Sequence, residues 1–560
     1  MHKFKVWSPK AKEVTVEVGG KTYPMQRDNH AFWVAEVEEA GNDSDYGFRL
    51  DGGVVLPDPR SAFQPYGIFG LSRVVDHSRF QWSDEKWQAR PLSSGIVYEL
   101  HIGAFTAAGT FLSAIERLDY LVDLGITHVE FMPVNEFSGN WGWGYDGVDL
   151  YAPHHCYGTP DEFKTLINAC HKKGLAIILD VVYNHLGPVG NYLPQFGPYF
   201  TEHYHTPWGS AVNLDDRGSE EARRFFIDNA LMWLRDYHLD GLRLDAIHAF
   251  QDDSAIHFLE QLSLEVEELS AHLGRHLVLI AESDLNDPRV VRSRDAHGYG
   301  MNAQWSDDFH HALFTLLTGE TGGFLGDFGT FQDLATALNE AFVYSGNRSP
   351  NRERRHGRPV YGLSGNRFIV FSENHDQVGN RAKGERVSQI VSCGMQKLAA
   401  ALVLTSPFVP MLFMGEEFAA STPFQYFTHH EDQELGKQVL EGRQREFSAF
   451  GWDPKEVPDP QDPGTFERSK LNWSEIDSGA HADMLSFYKT LIKLRREEPA
   501  LTDGRMADVE NAYDEVKRWF VMSRGPIDVV CNFSNSPQAV PTKAGNINLG
   551  PQSVKVNKRS

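Results

Sequence analysis

Three apolar runs of the chain each end in a carboxylate, and this pattern limits what the chain can fold into. The runs are Leu242–Asp245, His276–Glu282 and Phe368–Asp376. Apolar segments of this length are typical of parallel strands that are buried on both faces. In a β/α barrel the active site lies at the C-terminal ends of such strands. The pattern therefore predicts three acidic groups at one mouth of a barrel.

Acidic groups that share one mouth suit the cleavage of glycosidic bonds. A glycosidase needs an acid that protonates the leaving oxygen and a carboxylate that meets positive charge at the anomeric carbon. Asp245, Glu282 and Asp376 are the candidates for these roles. Each of them alone has another interpretation, because an acidic residue at a strand end often caps a helix or pairs with an arginine. The three together favour sugar chemistry.

The middle of the chain repeats a strand, a loop and a helix. Helical patterns lie between the strands, for example at Ser113–Leu124, Pro160–Lys173 and Arg223–Tyr237, and Thr159 with Glu162 has the spacing of a capping box. This repetition predicts an α/β fold, a (β/α)8 TIM barrel. The eight expected strands are Ile96–Leu100, His128–Phe131, Ala176–Val181, Gly241–Asp245, Val278–Ala281, Asn302–Gln304, Phe368–Phe371 and Val409–Leu412.

Both ends of the chain show the alternation of β structure. Phe4–Trp7 and Val14–Val18 alternate at period two, and Trp519–Met522 and Ile527–Phe533 are further β-like runs. We therefore expect an N-terminal β-sandwich of the immunoglobulin-like kind over residues 1–92, the barrel over 93–496, and a small C-terminal β domain over 497–560.

Charge and cysteine usage exclude several classes of partner. The net charge is −23, so a nucleic-acid partner is not expected, because such partners need basic patches. The four cysteines form no Cys-x-x-Cys pair, which argues against a zinc or iron–sulfur site, and their scatter indicates reduced thiols in the cytoplasm. The N-terminus has no signal-peptide pattern. The most apolar stretch, 398–414, contains two prolines and predicts a barrel helix and strand rather than a membrane span.

Four segments together resemble the signature regions of the α-amylase superfamily of glycoside hydrolases. They are Asp-Val-Val-Tyr-Asn-His at 180–185, Gly-Leu-Arg-Leu-Asp-Ala at 241–246, the isolated Glu282 after its apolar strand, and Glu-Asn-His-Asp-Gln at 373–377. The resemblance covers the barrel and extends to both flanking regions. It implies the barrel fold, a retaining mechanism, no cofactor and an N-terminal domain of the glucan-binding type.

Four further segments are similar to the maltooligosyltrehalose trehalohydrolase family. They are Trp143–Asp146, Ala281–Asp287, Pro57–Gln64, and Leu412–Glu417 with the following Ala420–Phe427. That family cleaves the α-1,4 bond next to a terminal trehalose unit and releases trehalose and a shortened maltooligosaccharide. The implied partners are maltooligosyltrehalose and water, with neither nucleic acid nor membrane.

The resemblance assigns roles residue by residue. Asp245 matches the nucleophile, Glu282 the general acid/base, and Asp376 the acid that stabilises the transition state by binding sugar hydroxyls. We expect the pKa of Glu282 to be raised by the neighbouring carboxylates, and Arg243 to keep Asp245 ionised from the same strand face. The residues expected to bind substrate are Tyr145, His185, Arg243, His248, His375, Gln377, Arg381, Trp305 and Asp308.

Some of these residues have alternative interpretations. His185 and His375 could be core histidines, and Tyr145 could belong to a packing cluster with nearby tryptophans. His248 stands where many amylases have lysine, so leaving-group contacts should differ. Asn184 aligns with a calcium ligand of many amylases, but the segment 186–214 is short for the insertion that carries their calcium. We therefore expect no obligatory calcium and no metal ligands.

Two loops are expected to shape the leaving-group side for trehalose. One runs from Trp305 to about Arg367 and includes the basic run Asn351–Arg358, for which a solvated loop is the alternative. The other follows the eighth strand and contains Phe424, Tyr426 and Phe427. The rival functions are a glycogen branching or debranching enzyme of the same superfamily and a non-catalytic glycan-binding protein. The latter should have lost at least one of the three acids, and all three are present.

Overall fold

A closed barrel of eight parallel strands forms the centre of the computed structural model, which describes residues 1–449 and 452–559. The last barrel strand pairs with the first, with Met411 opposite Val97. Each predicted strand is confirmed to within one residue at either end. The barrel strands are Val97–Leu100, His128–Phe131, Ala176–Val181, Gly241–Leu244, Val278–Ala281, Ala303–Trp305, Phe368–Val370 and Val409–Phe413.

The inward side chains change from apolar to acidic toward the C-terminal ends of the strands. Ile178 and Ile280 belong to the buried core inside the barrel. Because side chains alternate along a strand, the residue two positions later faces the same interior. Those residues are Asp180 and Glu282. The barrel therefore has an apolar floor, and its acidic residues collect at the mouth.

Helices cover the outside of the barrel, and most of them begin where their sequence favours it. Thr159 accepts a hydrogen bond from the Glu162 backbone N–H at 3.2 Å, and the Glu162 side chain accepts one from Thr159 at 2.7 Å, as the capping-box pattern predicts. The helices that follow the strands are Phe111–Ile115 and Leu118–Leu124, Pro160–Lys172, Ser219–Asp236, Phe258–Leu273, Asp307–Thr318 and Phe331–Glu340, Cys393–Thr405, and Gly479–Glu497.

Two helices differ from their predicted ranges. The expected helix 113–124 is two short helices, separated at Glu116 and Arg117, and the Arg117 guanidinium lies 4.4 Å from the Trp473 ring centre. The expected helix 223–237 begins earlier, at Ser219. Its first turn carries Glu220 and Glu221, whose charges are favourable near a helix N-terminus. The sequence pattern therefore located both helical regions but neither the early start at Ser219 nor the break near Arg117.

The N-terminal part of the chain forms two sheets beside the barrel. One has the strands His2–Trp7, Phe32–Val37 and Gln26–Arg27. The other has Lys21–Pro24, Val14–Val18, Asp45–Leu50 and Val55–Leu56, with Ser72–Arg73 paired to Asp45–Leu50. These sheets bury the side chains of Phe4, Val16 and Phe48, as the alternation of apolar and polar residues along the strands predicts.

The C-terminal sheets pack against the barrel helix Cys393–Thr405. Their strands are Glu510–Asp514, Trp519–Arg524, Ile527–Asn532 and Ser553–Lys558, with a separate pair Gln538–Thr542 and Gly545–Leu549. The buried guanidinium groups of Arg495 and Arg524 donate to the backbone carbonyls of Leu404, Thr405 and Ser406, where the helix Cys393–Thr405 ends. The predicted boundary at residue 497 lies at the last residue of the helix Gly479–Glu497.

Several hairpins and further helices lie in the segments that connect these elements. None of the helices among the described residues is long and apolar enough to cross a membrane. The hairpins are Asn135–Glu136 with Asp149–Pro153, Phe200–Thr206 with Gly209–Val212, and Ser345–Ser349 with Arg354–Gly357. The remaining helices are Ile102–Phe105, Leu193–Phe196, His375–Gly379, Val387–Ile390, Gln433–Ala449, Pro463–Ser469 and Pro499–Thr502.

Candidate active site

A fully buried arginine connects the acidic residues at the barrel mouth. Arg243 Nη1 donates to Asp180 Oδ2 at 2.7 Å and to Asp245 Oδ1 at 2.9 Å, and its Nη2 lies 3.1 Å from Glu282 Oε2. The guanidinium carbon of Arg243 lies over the face of the Trp305 ring, 4.2 Å from the ring centre. A cation in this position stabilises the ionised form of each neighbouring carboxylate.

Asp245 is held by both of its carboxylate oxygens. Arg243 binds Oδ1, and the Asn184 side-chain amide donates to Oδ2 at 2.8 Å. The Asp245 backbone N–H donates to the Val181 carbonyl at 3.1 Å. The Asn184 carbonyl oxygen in turn contacts His185 Nδ1. These contacts fix the carboxylate of Asp245 in one orientation, which a nucleophile requires.

Glu282 lies at the mouth with its side chain 18% exposed. Its Oε2 accepts a hydrogen bond from the Ala246 backbone N–H at 2.7 Å, and Ala246 adopts a left-handed conformation with φ 41°. Burial is the main cause that raises the pKa of Glu282; Arg243 opposes this, and the charge of Asp245 adds to it. The neighbouring carboxylate thus contributes as expected, but it acts second to burial. A raised pKa suits a general acid.

Tyr145 and His375 form a stacked pair beside Asp180. The two rings lie 5.1 Å apart at 17°, and the Tyr145 hydroxyl contacts Asp180 Oδ2 at 2.6 Å and His375 Nε2 at 2.7 Å. Glu99 accepts from the His375 backbone N–H at 3.0 Å and also contacts its Nδ1. Burial lowers the pKa of His375, but Asp376 and Glu99 outweigh burial and raise it to about 9. His375 is therefore a cation at neutral pH.

Asp376 faces an open cavity beside the barrel mouth. It lies in the first turn of the helix His375–Gly379, and its side chain is 37% exposed. The cavity measures about 500 Å³ and is lined by Asp376, Gln377 and Arg381, together with Phe324 and Trp452. Such a mixture of aromatic and polar groups suits sugar rings, which have apolar C–H faces and polar edges.

A second set of groups lies near Asp245. His185 Nε2 contacts the Tyr145 carbonyl at 3.0 Å, and its ring stacks on Trp208, with the ring centres 4.7 Å apart at 8°. Trp208 is 47% exposed. His248 is half-buried, and its positive charge, when present, would lower the pKa of Glu282. His185, Trp208 and His248 therefore lie near the two central acids.

The structure places two of the sequence-predicted residues outside the open cleft. Trp305 is 1% exposed and packs under Arg243. Asp308 is buried, and one of its carboxylate oxygens accepts from Asn286 and from the Val343 and Tyr344 backbone N–H groups. Through these bonds Asp308 joins two loops. Neither Trp305 nor Asp308 is therefore placed to contact a sugar directly.

Asp307 takes the position at the cleft that sequence reasoning gave to Asp308. Burial raises the pKa of Asp307, and the charges of Glu282 and Asp376 add to this rise. Asp307 follows the inward-facing Trp305 by two residues, so period two was the signal that identifies it. Asp180 and Asn184, both in the signature segment 180–185, also belong to the site although neither was predicted to bind substrate.

The two loops expected to shape specificity meet the site differently. In the basic hairpin, Arg352 Nη1 lies 3.2 Å from Asp284 Oδ2, and His356 Nε2 contacts the Asp284 carbonyl at 2.6 Å. Asp284 is two residues after Glu282. In the other loop, the Phe424 ring stacks on Trp143 at 5.4 Å and is fully buried. The hairpin thus borders the acid Glu282, and Phe424 supports the segment that carries Tyr145.

Comparison with known proteins gives a consistent set of similarities. The family model for the α-amylase catalytic domain matches residues 77–208. The chain is 50% identical to a malto-oligosyltrehalose trehalohydrolase of Arthrobacter ramosus, over 97% of this chain and 95% of that protein. It is 49% identical to the protein of that name from Rhizobium sp. strain M-11, over 96% and 91%.

More distant similarities agree with the fold. A 1,4-α-glucan branching enzyme of Pseudoalteromonas atlantica is 26% identical, over 98% of this chain and 73% of that protein. Among solved structures, a putative α-amylase of Salmonella typhimurium is 36% identical with a TM-score of 0.92, covering 100% of this chain and 97% of that one.

Proposed function

This chain belongs to the malto-oligosyltrehalose trehalohydrolase family, and from that membership we infer that it is a glycosidase that cleaves the α-1,4 bond adjacent to the terminal trehalose unit of maltooligosyltrehalose. The products are trehalose and a maltooligosaccharide. The observation that carries this function is the identity of about half of all residues with relatives of that name over nearly the whole chain. The arrangement of Asp245 and Glu282 around Arg243 supplies a mechanism.

We propose that Asp245 attacks the anomeric carbon of the sugar that precedes the trehalose unit. Arg243 and Asn184 keep its carboxylate ionised and oriented. As the glycosidic bond breaks, Glu282 gives its proton to the leaving oxygen, and trehalose departs. The ionised Glu282 then takes a proton from water, which attacks the glycosyl-enzyme and restores Asp245. The anomeric configuration is retained because two displacements occur.

In this proposal Asp376 and His375 bind hydroxyls of the sugar that is attacked. Asp376 is an exposed acceptor. The cationic His375 keeps its Nδ1 proton on Glu99, and its Nε2 proton, which contacts the Tyr145 hydroxyl in the structure, would pass to a sugar hydroxyl when substrate binds. The Tyr145 ring provides an apolar surface beside that sugar. Some hydrogen bonds become stronger as the sugar ring distorts toward the transition state. Such bonds lower the activation barrier more than they strengthen substrate binding. Gln377 and Arg381 extend the polar lining of the same cavity.

The leaving-group side is proposed to lie between Glu282 and the basic hairpin. The proton donor must lie next to the leaving oxygen, so the loop that follows Glu282 borders the departing sugar. Arg352 and His356 contact Asp284 in that loop. Exposed Arg354 and Arg355 of the same hairpin are then available to trehalose hydroxyls. His248, where many amylases have lysine, contributes to the same side.

The rival functions have weaker support. The branching enzyme is 26% identical to this chain, about half the identity of the trehalohydrolases. A non-catalytic glycan-binding protein has no need of Asp245 and Glu282 in contact with one arginine.

Each of the four cysteines is a free thiol in the described part of the chain, which supports a cytoplasmic location. The division into segments 1–92, 93–496 and 497–560 remains our proposal for the domains.

The decisive experiment compares two substrates of equal length. The protein is incubated separately with maltotriosyltrehalose and with maltopentaose, and the products are identified by chromatography. Rapid release of trehalose, with little attack on maltopentaose, is the expected result. Equal cleavage of both substrates would indicate a general amylase, and formation of α-1,6 branches from longer glucans would indicate a branching enzyme.

A further inference from the structure

A cluster of possible metal ligands lies in the loop after the second barrel strand, outside the catalytic residues. The loop ends in a turn in which the Tyr157 backbone N–H donates to the His154 carbonyl at 2.9 Å. One nitrogen each of His154 and His155 and the sulfur of Cys156 lie within 4.8 Å of one another. Among the described residues, this is the group of three such side chains close enough to share one cation.

One carboxylate orients both imidazole rings of this cluster. Glu136 Oε1 lies 3.1 Å from His154 Nδ1 and 2.8 Å from His155 Nδ1, and Glu136 Oε2 accepts from the His155 backbone N–H at 2.8 Å. A carboxylate at Nδ1 favours the proton there and leaves the Nε2 lone pair free. This is the arrangement found around histidines that bind metals.

The two Nε2 atoms are the ones that Glu136 does not engage. His155 Nε2 forms a hydrogen bond with Cys156 Sγ at 3.4 Å, and a cation would replace the shared proton once the thiol is deprotonated; this distance is close to the separation of two ligands on one zinc ion. His154 is fully buried, and its Nε2 has no hydrogen-bond partner in the described part of the chain. A buried nitrogen without a partner is costly, and a bound cation would satisfy it.

We propose that His154, His155 and Cys156 bind one divalent cation of the zinc class, with Glu136 as the carboxylate that supports both histidines. Two imidazoles and a thiolate suit such borderline ions, whereas calcium prefers oxygen ligands. His155 and Cys156 are half-buried, so solvent can supply both the ion and a water as fourth ligand. The cysteine spacing predicted no zinc site, because that rule does not detect histidines beside a single cysteine.

The site would connect the two ends of the loop that carries Tyr145. Glu136 lies in the short strand Asn135–Glu136, and the three ligands follow the partner strand Asp149–Pro153. Bound metal would therefore favour the folded conformation of residues 136–156 without taking part in the reaction. The site does not depend on the proposed substrate.

The test uses untagged full-length protein that has been treated with a chelator and then dialysed. Co²⁺ is titrated first, because tetrahedral cobalt with a thiolate ligand has intense visible bands and a sulfur-to-metal charge-transfer band. We expect one equivalent to bind, Zn²⁺ to displace it, and the melting temperature to rise with Zn²⁺. Ca²⁺ should produce neither change.

Variants decide which side chains are responsible. Cys156→Ser should abolish the charge-transfer band, and His155→Ala should weaken Zn²⁺ affinity at least tenfold. Cys393→Ser is the matched control, because Cys393 is an exposed cysteine elsewhere in the chain. Circular dichroism checks that each variant is folded. Failure of the wild-type protein to bind one equivalent, or an unchanged cobalt spectrum in folded Cys156→Ser, would overturn the proposal.

Discussion

Asn184 donates its side-chain amide to both the backbone carbonyl of Asp245, at 3.0 Å, and its Oδ2, at 2.8 Å. The amide therefore fixes the main chain and the carboxylate of the proposed nucleophile together. A hydrogen bond to a charged group contributes about 1.5–3 kcal/mol. Since 1.4 kcal/mol corresponds to a factor of ten in rate, the loss of this bond should be visible in kcat.

We predict that Asn184→Ala lowers kcat for maltotriosyltrehalose about 10- to 100-fold, with a smaller change in KM. Steady-state kinetics measure both parameters. Asn191→Ala is the control, because Asn191 lies in the same loop and its side chain accepts from the Leu193 backbone N–H, away from Asp245 in the chain. An Asn184→Ala variant with wild-type kcat would show that Arg243 alone orients the nucleophile.

The two central acids should be indispensable and act as a unit. Asp245→Ala and Glu282→Gln should each lower kcat by at least about 10³-fold, and the double variant should be only slightly slower than the worse single variant. Asp253→Asn is the control, since Asp253 is an exposed acid that follows the same strand. Losses that multiply in the double variant would contradict a shared role in one step.

The pH dependence of kcat/KM should follow the protonation of Glu282. The proton on Glu282 is needed for departure of trehalose, so activity should fall as pH rises through its pKa. Burial raises that pKa above the ordinary value, which moves the alkaline limit upward. His248→Ala should move the limit further upward, because the charge of His248 lowers the pKa of Glu282. His203→Ala, at an exposed histidine, should leave the profile unchanged.

His375 should make stability depend on pH. Its folded-state pKa of about 9 exceeds the ordinary value of 6.5, so protonation stabilises the folded state. This contribution is complete below pH 6.5 and is lost as pH rises through 9, a change of at most about 3 kcal/mol. Denaturant unfolding at several pH values measures it. In His375→Gln the decline between pH 6.5 and 9 should be much smaller, and an equal decline would assign it to other groups.

The basic hairpin should affect substrate recognition rather than chemistry. Arg354→Ala combined with Arg355→Ala should raise KM for maltotriosyltrehalose about fivefold, because each exposed charge contributes up to about 1 kcal/mol. The value of kcat should change little. Arg505→Ala is a control at an exposed arginine that pairs with Asp503. Unchanged KM would mean that the two arginines form a solvated surface.

Much of the barrel was predictable because its strands are apolar runs with defined ends. All eight strands lie within one residue of their expected ranges, and the acids at their ends converge as the barrel geometry requires. The distinction between Asp307 and Asp308 was available from alternation, since Asp307 follows Trp305 by two residues.

Other features depend on contacts that sequence patterns do not contain. Nothing local to Trp208 indicates that its ring stacks on His185, because the two residues lie in different segments of the chain. Arg117, at the break of the predicted helix, contacts the ring of Trp473, which is distant in sequence. The hydrogen bonds from the Val343 and Tyr344 backbone N–H groups to Asp308 likewise form only when the long loop folds, so the local sequence does not reveal them.

The carbonyl groups at the end of the helix Cys393–Thr405 obtain donors from Arg495 and Arg524, which lie after the last barrel strand. A shortened protein that ended at residue 497 would retain every catalytic side chain but would lose Arg524 and expose the Thr405 carbonyl without that donor. The C-terminal sheets are therefore poor candidates for removal or exchange when chimeric enzymes are designed. Removal of the C-terminal sheets would also remove hydrogen-bond donors from the C-terminal end of a barrel helix.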